Sequence, residues 1–241
     1  YTRSPMSMTL SHISQGSDGQ LTATKVRPID FSGVNGLWIP CFGSQTPWNT
    51  HLGSEEDYDL IYNPLDSKNY GATTAGLKAL RDQYFKGERE ANPYHYGIIP
   101  EVTVKADGAT SVVKHYAMSR GTWEQAKLMP DGRTAYLGDD GAHVQMTMFV
   151  ADKYGDLSAG TVYTAKWNQT SDQNGGSADL TWNKLGHATN AEIKALADTL
   201  TFKDIFNAVA PGNGQCPSGY QRIRAGSTAD ECLALKPGME K

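Results

Sequence analysis

Ile98-Ile99-Pro100-Glu101-Val102-Thr103-Val104, the reversal Lys105-Ala106-Asp107-Gly108 and the return Ser111-Val112-Val113-Lys114-His115-Tyr116-Ala117 read as two strands of a tight hairpin. β-Branched residues dominate both arms, and Asp-Gly supplies the positive φ that a short reversal needs. The same grammar recurs along the chain. Met8, Leu10 and Ile13 precede Gly16-Ser17-Asp18-Gly19, and Leu21, Thr22, Thr24 and Val26 follow. Lys127 to Met129 turns through Asp131-Gly132 into Thr134 to Leu137, and Met146 to Ala151 turns through Tyr154 to Gly160 into Thr161 to Trp167. Repeated short strands of this kind predict an all-β protein. The uneven spacing of the turns leaves sandwich, barrel and propeller open.

Two segments carry helical patterning. Ala75, Leu77, Leu80 and Tyr84 share a face within Thr73 to Arg89. A capping box at Thr189-Asn190-Ala191-Glu192 opens an apolar stripe through Ile193, Leu196, Leu200 and Ile205, which is expected to pack in the core. Residues 212–241 show almost no regular pattern. This divides the chain into a β portion, 1–188, and a helical segment with a loop-rich tail, 189–241. The hairpins leave open sheet edges, which folded β proteins pair or cover, so a second chain or a further segment is expected to complete the architecture.

At 39% hydrophobic and 20% charged, the composition is that of a folded domain. A net charge of −4 offers no electrostatic footprint for nucleic acid, and no apolar run approaches the roughly 18 residues of a membrane span. Cys216 and Cys232 lie 16 residues apart in a Gly/Pro/Ser-rich stretch, where a disulfide would stabilise a segment with little apolar content; two unpaired thiols are the alternative. Such a bridge implies an oxidising compartment, periplasmic or extracellular. The start at Tyr1-Thr2-Arg3 fits removal of an export signal, or equally a fragment. Cys41 is then an odd thiol, and metal ligation is one reason for its presence.

Gly36 to Asp57 is the stretch richest in chemistry. A strand-like run ends at Cys41, Gly43, Ser44 and Pro47 turn the chain, and a second strand delivers Glu55-Glu56-Asp57. A thiolate with carboxylates suits iron or zinc, and carboxylates alone suit calcium. The plainer reading of the same residues is a buried cysteine beside an acidic turn.

Cys41-x-Gly43-x-x-Thr46-Pro47-Trp48-x-Thr50 followed by Glu55-Glu56 resembles the signature of the PhoX-type alkaline phosphatases. Further segments resemble that family in the same order: Tyr96-Gly97-Ile98-Ile99-Pro100-Glu101, Ser119-Arg120-Gly121-Thr122-Trp123-Glu124 (where the family has Gly-Arg-Phe-x-His-Glu) and Tyr136-Leu137-Gly138-Asp139-Asp140. The collinear matches span about residues 8–165. The resemblance implies a β-propeller, present here in part, with an iron pair and calcium ions at a central site of an exported phosphomonoesterase. It makes Cys41 an iron-bound thiolate, and Glu55, Glu56, Glu101, Glu124, Asp139 and Asp140 candidate ligands. His51, Thr46 and Trp48 become their supports. Departures from the pattern include Asn49 for a usual Gly, Ser54 for a common Cys and Trp123 for a frequent His.

The function expected on these grounds is hydrolysis of phosphate esters by a metal-activated oxygen nucleophile, with Fe and Ca as cofactors and no covalent side-chain nucleophile. The alternative is a catalytically silent, calcium-stabilised propeller acting as a cell-surface or assembly module. A sugar-binding β protein has little beyond its aromatic residues to support it. Asn168-Gln169-Thr170 matches a glycosylation sequon, a pattern common by chance.

Overall fold

The computed structural model describes residues 6–56, 76–141, 144–223 and 230–239. β1 (Thr9–Gln15) and β2 (Leu21–Pro28) pair antiparallel around a turn in which Gly19 takes a φ of 83°. β3 (Pro40–Gln45), β4 (His51–Glu55), β5 (Ile99–Val104) and β6 (Thr110–His115) follow as a four-stranded sheet in chain order. β7 (Trp123–Leu128), β8 (Thr134–Asp139), β9 (Met146–Lys153), β10 (Asp156–Ser171) and β11 (Ser177–Thr189) form a five-stranded sheet, again with sequential strands adjacent. Both sheets are antiparallel throughout. These open up-and-down sheets fit the expected partial propeller. The Asp-Gly hairpins fall where the turn chemistry put them. The β9–β10 reversal is tighter than its sequence suggested, with Lys153 already opposite Asp156.

One core joins the two larger sheets. Leu52 and Ile99 from the first pack with Trp123, Leu137 and Phe149 from the second, and all five are essentially inaccessible. Period-two alternation produces this. In β8, Ala135 and Leu137 point inward, while Thr134 and Tyr136 lie partly exposed. A hydrogen bond seals the seam: Ser44 Oγ in β3 donates to Ala126 O in β7 at 2.6 Å.

Elsewhere the structure differs from the sequence reading. Of the first predicted helix, residues 73–75 lie outside the described residues; 76–79 are α-helical and Leu80–Tyr84 form a π-helical turn. The second helix, Asn190–Thr199, has its capping box, with Thr189 and Glu192 exchanging hydrogen bonds. Its apolar stripe is not core, however. No residue of the helix is buried, Leu196 is 44% exposed, and Ile193, Leu196 and Leu200 wall an open apolar groove with Tyr94 and Ile98. The tail is more ordered than its composition suggested. β12 (Phe206–Val209), β13 (Gln221–Ile223) and β14 (Glu231–Leu235) form a three-stranded sheet ordered β12-β14-β13. Three- to five-residue strands are too short for alternation to stand out, so long-range pairing and the Cys216–Cys232 disulfide define them instead. Cys41 is free and exposed.

β10 crosses the second sheet closely enough that Gly160 has no room for a methyl group: a Cβ there would meet both the Phe149 ring and Val150 O at 2.5 Å. Gly160→Ala is expected to destabilise the protein by about 1–3 kcal/mol. Gly186→Ala, on the neighbouring strand with nothing within 4 Å of the added carbon, should stay within about 0.5 kcal/mol. Urea midpoints at unchanged slope check both.

Candidate metal centre

Three strands from two sheets bring Cys41, Glu56 and Glu124 together. One ligand atom from each lies within 4.8 Å of the other two. Cys41 follows the first residue of β3, at a register irregularity between Pro40 and Gly43. Such bulges re-aim side chains out of the regular pleat. Glu56 comes immediately after β4, its amide donating to Ile39 O at 3.1 Å. Glu124 is the second residue of β7, and its Oε2 accepts from the Cys41 thiol at 3.4 Å. Ser54, fully buried, stitches the three strands: its Oγ accepts from Phe42 N at 3.0 Å and donates to Glu124 O at 3.2 Å. Desolvation, together with hydrogen bonds to Glu56 and Glu124, pushes the Cys41 thiol up to about 12. Two carboxylates facing one thiol hold its proton in place; a cation between them would favour its release. A sulfur and two carboxylate oxygens converging in this way form a donor set suited to a transition metal.

The other candidate carboxylates are occupied differently. Glu55 is fully buried against Lys114, with Oε1 at 2.9 Å from Nζ; it also accepts from Trp38 N and Ile98 N at 2.8 and 3.2 Å. Burial pushes the Glu55 carboxyl up and the Lys114 ammonium down, and their mutual attraction opposes both shifts. Glu101 accepts from Trp48 Nε1 at 2.8 Å, from Thr50 Oγ1, and from His115 Nε2 at 2.6 Å. Asp139 closes the end of β8, accepting from Thr122 N at 2.9 Å and Gln145 N at 3.3 Å, and the Asp140 amide donates to Thr122 O. Among the described residues, Glu55, Glu101, Asp139 and Asp140 do not join the three-residue cluster.

The proposed supports sort likewise. Thr46 Oγ1 accepts from Thr50 N at 3.0 Å and shares a 2.7 Å hydrogen bond with Thr50 Oγ1, so Thr46 and Trp48 organise the turn that holds Glu101. The His51 ring lies over Gly43, where a Cβ would come within 2.4 Å of Cε1, and partial desolvation lowers its pKa. The sequence places Lys114 and His115 in a hairpin strand and assigns neither a role at the site. Both sit in a strand of ordinary β composition, and nothing in its pattern marks a buried lysine.

The departures from the family pattern have local explanations. Asn49 takes a φ of 62°, left-handed backbone that asparagine tolerates almost as glycine does. Ser54 replaces a thiol with a hydroxyl that makes two hydrogen bonds. Trp123 fills the inter-sheet core, and its indole Nε1 finds no hydrogen-bond partner. Ser119, standing where the resembled segment has Gly, takes φ 76° and ψ 179°, a region essentially restricted to glycine. Its buried hydroxyl also lacks a partner.

A sequence model of the family described as alkaline phosphatase PhoX matches residues 7–213. A solved structure of Pseudomonas fluorescens PhoX in complex with vanadate, a transition state analogue, is similar at 21% identity with a TM-score of 0.46. The match covers 77% of this chain and 37% of that one, so this chain aligns with well under half of that protein. No curated protein matches.

Relieving strain and an orphaned hydroxyl together, Ser119→Gly is expected to stabilise the protein by about 1–3 kcal/mol, read as a higher urea midpoint. Burial raises the Glu101 carboxyl, but hydrogen bonds from His115, Thr50 and Trp48 outweigh it and hold the pKa at about 2, below its ordinary 4.5. A depressed folded-state pKa contributes stability that is present above the unfolded value and lost as pH falls through the folded one. Acid unfolding between about 4.5 and about 2 should therefore be shallower in Glu101→Gln than in the parent protein.

Proposed function

The chain belongs to the PhoX alkaline phosphatase family, and from that premise we propose that it carries the thiol-and-carboxylate part of a metal-dependent phosphomonoesterase site. The observation that carries this reading is the convergence of Cys41, Glu56 and Glu124 from three separate strands. Sulfur beside carboxylate oxygen suits iron or zinc, of which the family resemblance implies iron, and the carboxylates suit calcium as a second ion. When bound, multivalent cations offset charge on the phosphoryl oxygens and lower the pKa of water.

The chain's own residues have defined tasks in this reading. Cys41, Glu56 and Glu124 would hold the metal, Cys41 as a thiolate whose proton leaves to water and the two carboxylates balancing the added positive charge. Ser54 fixes the spacing between the strands that carry them, while Asp139 and Glu101 hold the flanking turns from outside. His51, its pKa lowered by desolvation, stands as a neutral imidazole on the Gly43 face. The disulfide supports placement in an oxidising compartment, periplasmic or extracellular.

Hydrolysis of a chromogenic phosphate monoester in the presence of iron and calcium is the expected activity. Chelation should abolish it, and Cys41→Ala and Glu56→Gln should each lower it about a hundredfold or more. Metal uptake without hydrolysis would favour the silent calcium-stabilised module instead. Protein that takes up no metal would overturn the reading.

A further inference from the structure

The ladder between β4 and β5 is short. It registers His51 with Val102 and Leu52 with Glu101 and runs no further. Beyond Leu52 the end of β4 is paired on its β3 side, where Glu55 registers with Pro40, and open on its β5 side, with Glu56 following directly. The Glu55 side chain takes over where the backbone stops: Oε2 accepts from Ile98 N, just before β5, as a ladder carbonyl would. Oε1 accepts from Trp38 N, three residues before Cys41. Lys114 reaches across from β6 to the same oxygen, donates to His95 O at 2.9 Å and lies 4.6 Å from the Tyr96 ring centroid. Between Trp38 and Cys41, Ile39 is held at φ 38°, unusual for a β-branched residue, and its carbonyl receives the Glu56 amide. The Glu55-Glu56 dipeptide thus grips Trp38-Ile39 from both sides and joins the strand ends that carry two of the three cluster residues.

We propose that the buried Glu55–Lys114 pair is a positioning device for the metal centre, with Lys114 a positioning residue and Glu55 its anchor rather than a ligand. The inference rests on the metal-centre reading above. Glu56 follows directly, so anchoring Glu55 on Trp38 and Ile98 fixes the point from which Glu56, its amide on Ile39 O, reaches Cys41.

Co(II) titration of the full chain tests this, following the thiolate-to-cobalt charge-transfer absorption that reports Cys41 ligation. Lys114→Met with Glu55→Gln removes both charges together and avoids an unpaired buried ion. The expected result is full stoichiometry at saturation, a Kd raised about 10- to 100-fold and a shifted charge-transfer band. Should the double variant fail to fold, Glu55→Gln alone, which keeps shape and one acceptor oxygen, carries the same comparison. An unchanged Kd and band in a folded variant would overturn the proposal. So would loss of cobalt stoichiometry in Glu55→Gln equal to that in Glu56→Gln, since Glu55 would then be a ligand. Parent protein that shows no cobalt uptake would instead sink the metal-centre reading itself, and this inference with it.

Discussion

Ser54 is buried where three strands meet, and the geometry of the site hangs on its two hydrogen bonds. One secures Phe42, next to Cys41; the other secures the carbonyl of Glu124 in the facing sheet. Without such a stitch the two sheets would meet only through apolar contact, which is strong but indifferent to a shift of an ångström along the seam. Hydrogen bonds are directional. The core supplies the energy that brings the sheets together, and Ser54 and Ser44 set the register in which their polar ends face one another.

Electrostatics follow from that register. A thiol and two carboxylates brought this close would cost stability if all were ionised without a counter-charge, and burial first, then this crowding, raises the Cys41 pKa. The molecule handles its other buried charges differently, giving Glu55 a lysine and Glu101 a histidine. Neighbouring acids therefore divide between internal bracing, as at Glu55, and the cluster with Cys41, as at Glu56.

Much of this architecture was legible in the sequence, for reasons that can be named. Asp-Gly and the capping box of Thr189 and Glu192 are local signals whose physics acts within four residues, and the structure keeps them. The Cys216–Cys232 bridge could be anticipated from spacing and from the poor apolar content around it. β12, β13 and β14 were not seen because they are only three to five residues long and pairing across the tail, rather than their own alternation, makes them strands; β11 was missed although it pairs with β10 through a local hairpin. The helix stripe misled because an amphipathic face shows where apolar residues lie but not what covers them. Within Glu55-Glu56, both buried, composition could not show which acid meets Lys114 and which meets Cys41; that is fixed only once β4 is placed. Lys114 illustrates the limit best, since its partner lies 59 residues away in sequence.

Three cysteines in one chain allow three different single bridges, and an exposed free thiol is the usual agent of exchange between them. Attack on a disulfide requires the thiolate, and its rate falls with the thiolate fraction. Before a metal loads, burial and the facing Glu56 and Glu124 raise the Cys41 pKa and keep its sulfur protonated at neutral pH. Burial and the carboxylates that gather around it thus act, in the metal-free chain, as a kinetic guard on the opposite end of the chain. Once the fold is in place, the bridge closing the C-terminal sheet is shielded from reshuffling by the one cysteine that could attack it.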